Sequence, residues 1–89
     1  MAVALSGDLS FAHTIAVLEQ TRPQVESGQG PVELDLSAVR RVDSAGIALL
    51  LELARAARKA GREFKVTGAP EQLRRLAEFF GLTSLLALS

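Results

Sequence analysis

The chain contains no cysteine, tryptophan or tyrosine, one histidine (His13) and four phenylalanines among its 89 residues. Without cysteine there is no disulfide and no thiolate metal site, and a single imidazole leaves no zinc ligand set to assemble, so no metal and no cofactor is expected. Ten basic residues balance ten acidic ones, which removes the general attraction to polyanions that non-specific nucleic-acid binding relies on. No uncharged apolar run approaches the roughly 20 residues that span a bilayer. The start, Met1-Ala2-Val3-Ala4-Leu5-Ser6-Gly7-Asp8, has no basic segment ahead of an apolar one, as a secretory signal would have. The expectation is a cytoplasmic protein of one domain, residues 1–89, whose core is aliphatic, since hydrophobic residues make up 48% of the chain and aromatics very little.

The pattern of apolar residues and breakers predicts alternating strands and helices. Ala2 to Ser6 reads as a short strand that Gly7 ends. A helix follows, with Ile15, Leu18 and Val25 near one face, and Pro23 is expected to split it in two. Ser27-Gly28-Gln29-Gly30-Pro31 is a loop. Val32-Glu33-Leu34-Asp35-Leu36 alternates strictly, which places three aliphatics on a buried face and two carboxylates on a solvated one. Residues 37–42 read as a connection. A helix then starts at Ser44 or Ala45 and runs to about Ala60, with Ile47, Leu50, Leu53, Ala54 and Ala57 as its core face, Glu52, Arg55, Lys59 and Arg62 on a polar side, and Gly61 at its end. Phe64 to Thr67 is a strand. A last helix runs from about Pro70 to Phe80 with Leu73, Leu76, Ala77 and Phe80 as its apolar stripe, and an apolar tail, Leu82 to Leu88, packs on the rest. This order predicts an α/β fold, a small parallel or mixed sheet flanked by helices.

Catalytic chemistry finds no support. Asp43-Ser44-Ala45-Gly46 is not the Gly-x-Ser-x-Gly elbow of hydrolases, and His13 is the sole imidazole available as a base. Gly28 and Gly30 precede no Lys-Ser or Lys-Thr pair, so they form no phosphate-binding loop. Glu33 and Asp35, two apart on a strand, share a solvated face and make no acid–base pair. Lys65, Arg74 and Arg75 read as solvated surface. The chain is not expected to be an enzyme.

The informative stretch is the helix start at Asp43-Ser44. A serine there lies beside backbone N–H groups without intrahelical partners, at the positive end of the helix dipole. It is either an ordinary N-cap or a position where an added phosphate, about −1.5 to −2 charges at pH 7, is stabilised and switches a docking surface. Gly46 suggests close approach of another backbone. The helix that follows has a wide apolar arc, because Leu49, Ala56 and Ala60 lie beside its core face. Either a partner or a neighbouring helix covers the excess.

The run Leu34-Asp35-Leu36-Ser37, then Val42-Asp43-Ser44-Ala45-Gly46 and a leucine-rich helix, resembles a STAS domain, the fold of sulfate transporters and anti-sigma-factor antagonists. The resemblance continues through Phe64-Lys65-Val66-Thr67-Gly68 and Leu76-Ala77-Glu78-Phe79-Phe80-Gly81-Leu82. Within that family the chain is most similar to the stand-alone STAS subunits of Mla phospholipid ABC transporters, in Asp35 to Val42 and Asp43 to Leu51. The resemblance implies a non-enzymatic accessory subunit, held at the cytoplasmic side of the inner membrane. It would bind the transporter's ATPase, and through it the permease, to support outer-membrane lipid asymmetry. The docking surface it implies is the Ser44 end of the leucine-rich helix: Asp43, Ser44, Ala45, Gly46, Ala48, Leu49 and Glu52. The alternative branch is an anti-sigma-factor antagonist, in which the serine matching Ser44 is phosphorylated by a partner kinase. That branch has Ser or Thr where this chain has Ala45, and an acidic residue where it has Ser10. The family also has a strand ahead of Ala2–Ser6. This chain is expected to lack that strand, which would leave a sheet edge exposed, covered by the apolar tail, or paired with another copy in a homodimer.

Overall fold

The computed structural model describes residues 2–9 and 11–87. Strand β1 (Ala2–Leu9) is followed by α1 (Phe11–Ser27), β2 (Val32–Val42), α2 (Ser44–Lys59), β3 (Phe64–Thr67), α3 (Glu71–Phe79) and the short α4 (Thr83–Leu86). The three strands form one parallel sheet in the order β1-β2-β3. Two successive crossovers in the same direction bring α1 and α2 to the same side, where they pack on each other. Buried and exposed residues alternate along β2 and β3, so Val32, Leu34, Leu36, Phe64 and Val66 face the helices while Glu33 and Lys65 face solvent. Parallel sheets are ordinarily covered on both faces. Here the open face is polar, as the alternation of Val32 to Leu36 predicts.

Both strands of the β1–β2 pair run further than the sequence pattern indicates. β1 continues past Ser6 to Leu9, and β2 takes in residues 37–42, which read as a connection. The cause is two bulges. From Ala4 to Ser6 the partner on β2 advances from Asp35 to Ala38, and from Gly7 to Asp8 it advances from Val39 to Arg41. Each extra residue shifts the side-chain alternation by one. The buried positions of β2 therefore change from a spacing of two, at Val32, Leu34 and Leu36, to a spacing of three, at Val39 and Val42. At the first bulge the Ser37 amide donates to Asp35 Oδ1 over 2.9 Å. This bond, with a second from the Ser37 hydroxyl, holds the Asp35 carboxyl below the usual carboxylate range.

Helix α1 is one helix through Pro23, not two. An interior proline costs about 3 kcal/mol, and here the buried stripe spans it: Thr14, Thr21 and Val25 are buried and Leu18 packs against the core. Ile15, expected on that face, is 64% exposed. Helix α2 buries Ile47, Leu50, Leu53, Ala54 and Ala57 as its pattern predicts, and Leu49 with them. Of the other two residues beside that face, Ala56 packs partly against the core and Ala60 is exposed.

Gly61, at φ +73°, ends α2. Its amide donates to Arg58 O and the Arg62 amide to Ala57 O, the Schellman arrangement that a left-handed residue after the helix permits. This turn removes Arg62 from the polar face where helical periodicity places it. Arg62 is 5% exposed. Its Nε donates to Gly30 O, Nη1 to Gln24 O and Val25 O, and Nη2 to Gln29 O, at 2.7–3.2 Å. Gln24 and Val25 lie in the last turn of α1, so this one cation sits at the negative end of the helix, bonding the Val25 carbonyl and sharing that of Gln24 with the Gly28 amide, and it ties down the loop behind it. Gly81 ends α3 by the same pattern. As a result Phe80 sits outside the apolar stripe, 55% exposed and edge-on to Phe79, while Leu73 and Ala77 are buried. The tail then folds back: Leu86 is fully buried, Arg58 donates to Leu85 O, and the Val66 amide donates to Ala87 O, which covers the outer edge of β3.

Candidate docking surface

The sequence between β2 and α2 builds the helix start from Asp43. Its extended backbone, φ −107° and ψ −171°, is that of an N-cap, and Oδ1 accepts from the amides of Ala45 at 2.9 Å and Gly46 at 3.1 Å. Asp43, not Ser44, is therefore the cap. Ser44 is the first residue of the helix and is exposed. Gly46 is buried where the end of β1 crosses the helix: a Cβ there would collide with the Leu9 carbonyl oxygen and lie 2.8 Å from Val42 Cγ1. The close approach suggested by Gly46 is thus real, and it is made by the chain's own strand.

Beyond this cap a groove of about 200 Å³ lies between α1 and α2. Thr14, Ile15 and Leu18 form one wall, and Ala45, Ala48, Leu49 and Glu52 the other. Ile15 and Ala48 are exposed at its lip. Leu49 forms its floor at 3% exposure. The neighbouring helix α1 covers Leu49, so it is a core residue whose outer surface lines the groove, not an exposed contact. Arg22 on α1 closes one end, with Nη2 3.0 Å from Glu52 Oε2, and Arg55 stands 3.4 Å from Glu52 Oε1. Such half-exposed pairs stabilise by about 0–1 kcal/mol. Their consequence lies in charge, since Glu52 presents a neutralised carboxylate to anything entering the groove.

Of the seven residues that the sequence marks, the fold brings Ala45, Ala48, Leu49 and Glu52 onto one wall and leaves Ser44 one residue from its end. Asp43 and Gly46 serve the helix start itself. The opposite wall, Thr14, Ile15 and Leu18, is not among those seven. Its signal lies in Thr14, Leu18, Thr21 and Val25, which repeat at the four-three-four spacing of a buried stripe. Two threonines in that stripe read as polar, so hydrophobicity alone turns Ile15 inward in their stead. Among the described residues there is no cluster of three or more potential metal ligands, and no helix is long and apolar enough to cross a membrane.

A family model described as "Mlab, STAS domain" matches residues 1–87. The intermembrane phospholipid transport system binding protein MlaB of Escherichia coli K12 is 35% identical over 80 residues, which cover 90% of this chain and 79% of that protein. Among solved structures, a sulfate transporter family protein from Wolinella succinogenes superposes with a TM-score of 0.78 at 20% identity, over 96% of this chain and 69% of that one. The anti-sigma factor antagonist SpoIIAA, in its unphosphorylated form, gives 0.76 at 16% identity over 99% and 76%. At such identities the likeness is one of fold. The family match over nearly the whole chain, together with the MlaB relative, shows that the chain belongs to the STAS-domain family and stands close to MlaB within it.

Proposed function

We propose that this chain is a non-enzymatic accessory subunit of a phospholipid-transporting ABC system, and that it binds the system's ATPase through the α1–α2 groove and the adjoining Ser44 end of α2. The relationship to MlaB supports the transport system. The observation that carries the docking surface is the apolar groove itself, open beside Ile15 and Ala48, with the exposed Ser44 one residue beyond its end. An exposed isoleucine and a small residue flanking an apolar floor fit an aliphatic or aromatic side chain of a partner, the kind of anchor that dominates protein interfaces. The subunit then acts by preference: if it binds one ATPase conformation more tightly, a coupling of about 1–3 kcal/mol shifts that population. No covalent step by this chain is involved, and the ATPase holds it at the cytoplasmic side of the inner membrane.

The test is binding to the cognate ATPase, measured by titration calorimetry, with Ile15→Asp and Ala48→Arg. Both positions are exposed, so the fold is retained while the groove is charged or filled, and at least a tenfold loss of affinity is expected. Unchanged affinity in both variants, with normal unfolding curves, overturns the assignment of the surface. The second reading, an antagonist switched at Ser44, rests on that hydroxyl's exposure at the positive end of α2. Phosphate on Ser44 in protein from its native cell, with capture of a small kinase and no ATPase, would decide for it.

A further inference from the structure

We infer, on the footing that the ATPase docks at the α1–α2 groove, that it brings an acidic side chain as well as an apolar one, and that this carboxylate sits over Arg55 and Lys59. Towards the C-terminal ends of the two helices a second hollow, of about 230 Å³, lies between them. Arg22 and Glu26 line it from α1, Arg55 and Lys59 from α2. Glu52 lines both this hollow and the apolar groove, so the two form one surface, apolar near Ser44 and charged near Lys59.

The charges of this second half are polarised across the seam. Arg22 holds one oxygen of Glu52 and Arg55 the other, so a single carboxylate serves two cations. Arg55 keeps 80% of its side chain exposed, and among the described residues Lys59 makes no ion pair. At i and i+4 on α2 these two like charges are neighbours that repel. The negative end of the helix offsets this for Lys59, in the last turn, but not for Arg55 a turn earlier. On α1 the sign is opposite, because Glu19 and Glu26, both exposed, stand a turn to either side of Arg22. A carboxylate of the partner is therefore drawn to the α2 wall and repelled from the α1 wall, which fixes the side on which it lies. Arg55 is about 10 Å along the helix axis from Ala48 at the lip of the groove. The acid thus follows the apolar anchor by about two turns of helix, or about three residues of extended chain.

Association of the full chain with the cognate ATPase, followed by surface plasmon resonance over a range of salt, tests this. Wild-type association should slow as salt rises. Arg55→Glu and Lys59→Glu should each slow it roughly threefold or more at low salt and flatten its salt dependence, since charges at a rim act mainly on encounter. Glu26→Gln should quicken it. Arg75→Glu makes the same change of net charge on α3, which packs on β2 and α4, and should leave the rate unmoved. Unfolding curves confirm that each variant is folded. If Ile15→Asp abolishes binding while R55E and K59E associate as the wild type does, the acidic contact is overturned and the groove stands. If Ile15→Asp also binds normally, the groove assignment falls with it. Equal slowing by Arg75→Glu would make the effect one of overall charge, and a wild-type rate indifferent to salt would leave no charged contact; either overturns the proposal. Binding to phosphatidylglycerol vesicles that K59E loses, with ATPase binding unaffected, would give the hollow to a lipid headgroup and equally overturn it.

Discussion

At the C-terminal end of α2, Arg62 directs its guanidinium at the carbonyls of Gln24, Val25, Gln29 and Gly30 and is almost wholly buried. At the N-terminal end, Asp43 caps the helix from a solvated position, Ser44 is exposed, and α1 and α2 part around an apolar groove. The same pair of helices is thus locked at one end and open at the other. Locking α1 against the Arg62 loop fixes its axis, and a fixed axis allows the far end to hold a groove of defined width without a side chain filling it.

The largest effect on this comparison comes from removing the staple. Arg62→Ala strands the buried Val25 carbonyl and removes the bonds to three part-buried ones, and hydrogen bonds to a charged group are worth about 1.5–3 kcal/mol each before coupling among them is counted. Urea unfolding should show a loss of about 3 kcal/mol or more. Arg62→Lys should recover part of this, because an ammonium lacks the planar fork that reaches carbonyls on both sides. A loss below about 0.5 kcal/mol, the range of ordinary surface substitutions, would mean that the two ends are not built differently.

The next effect sharpens the status of Leu49. Leu49→Ala in a buried site costs about 2–5 kcal/mol, and the lower part of that range is expected because the residue faces an open groove on one side. The measurement is again the midpoint of urea unfolding, compared with Ala48→Arg, which should leave it unmoved. Equal, negligible shifts would place Leu49 on the surface and reopen the wider contact that its position beside the core face suggests.

Arg62 and Leu49 also mark where the sequence was readable. The core face of α2, the strand at residues 64–67 and the helix stop at Gly61 follow from periodicity and glycine placement, and they stand as expected. Helical spacing puts Arg62 on the polar face only if it runs past Gly61, where the left-handed turn ends its meaning. Residues 37–42 hid in β2 for a related reason: a strand with two bulges no longer alternates, so period two is lost although pairing continues. The groove between α1 and α2 is half legible in the sequence. Its α2 wall follows from the helix-start pattern and the family resemblance, but its α1 wall depends on which of Thr14 and Ile15 turns inward, and hydrophobicity ranks that pair the wrong way.

The smallest effect separates two adjacent residues. If the cap is Asp43, Asp43→Ala removes the acceptor for the Ala45 and Gly46 amides and costs about 0.5–2 kcal/mol. Ser44→Ala should change stability by less than about 0.5 kcal/mol, as an exposed first-turn position does. The pair matters for function because a residue that holds the helix start cannot be altered without loosening it, whereas one that does not is free to be read by a partner. Side-by-side unfolding curves check the order. A destabilisation at Ser44 as large as that at Asp43 would show that the hydroxyl is bound up in the helix start. The open end of the helix pair would then present only the apolar walls of the groove.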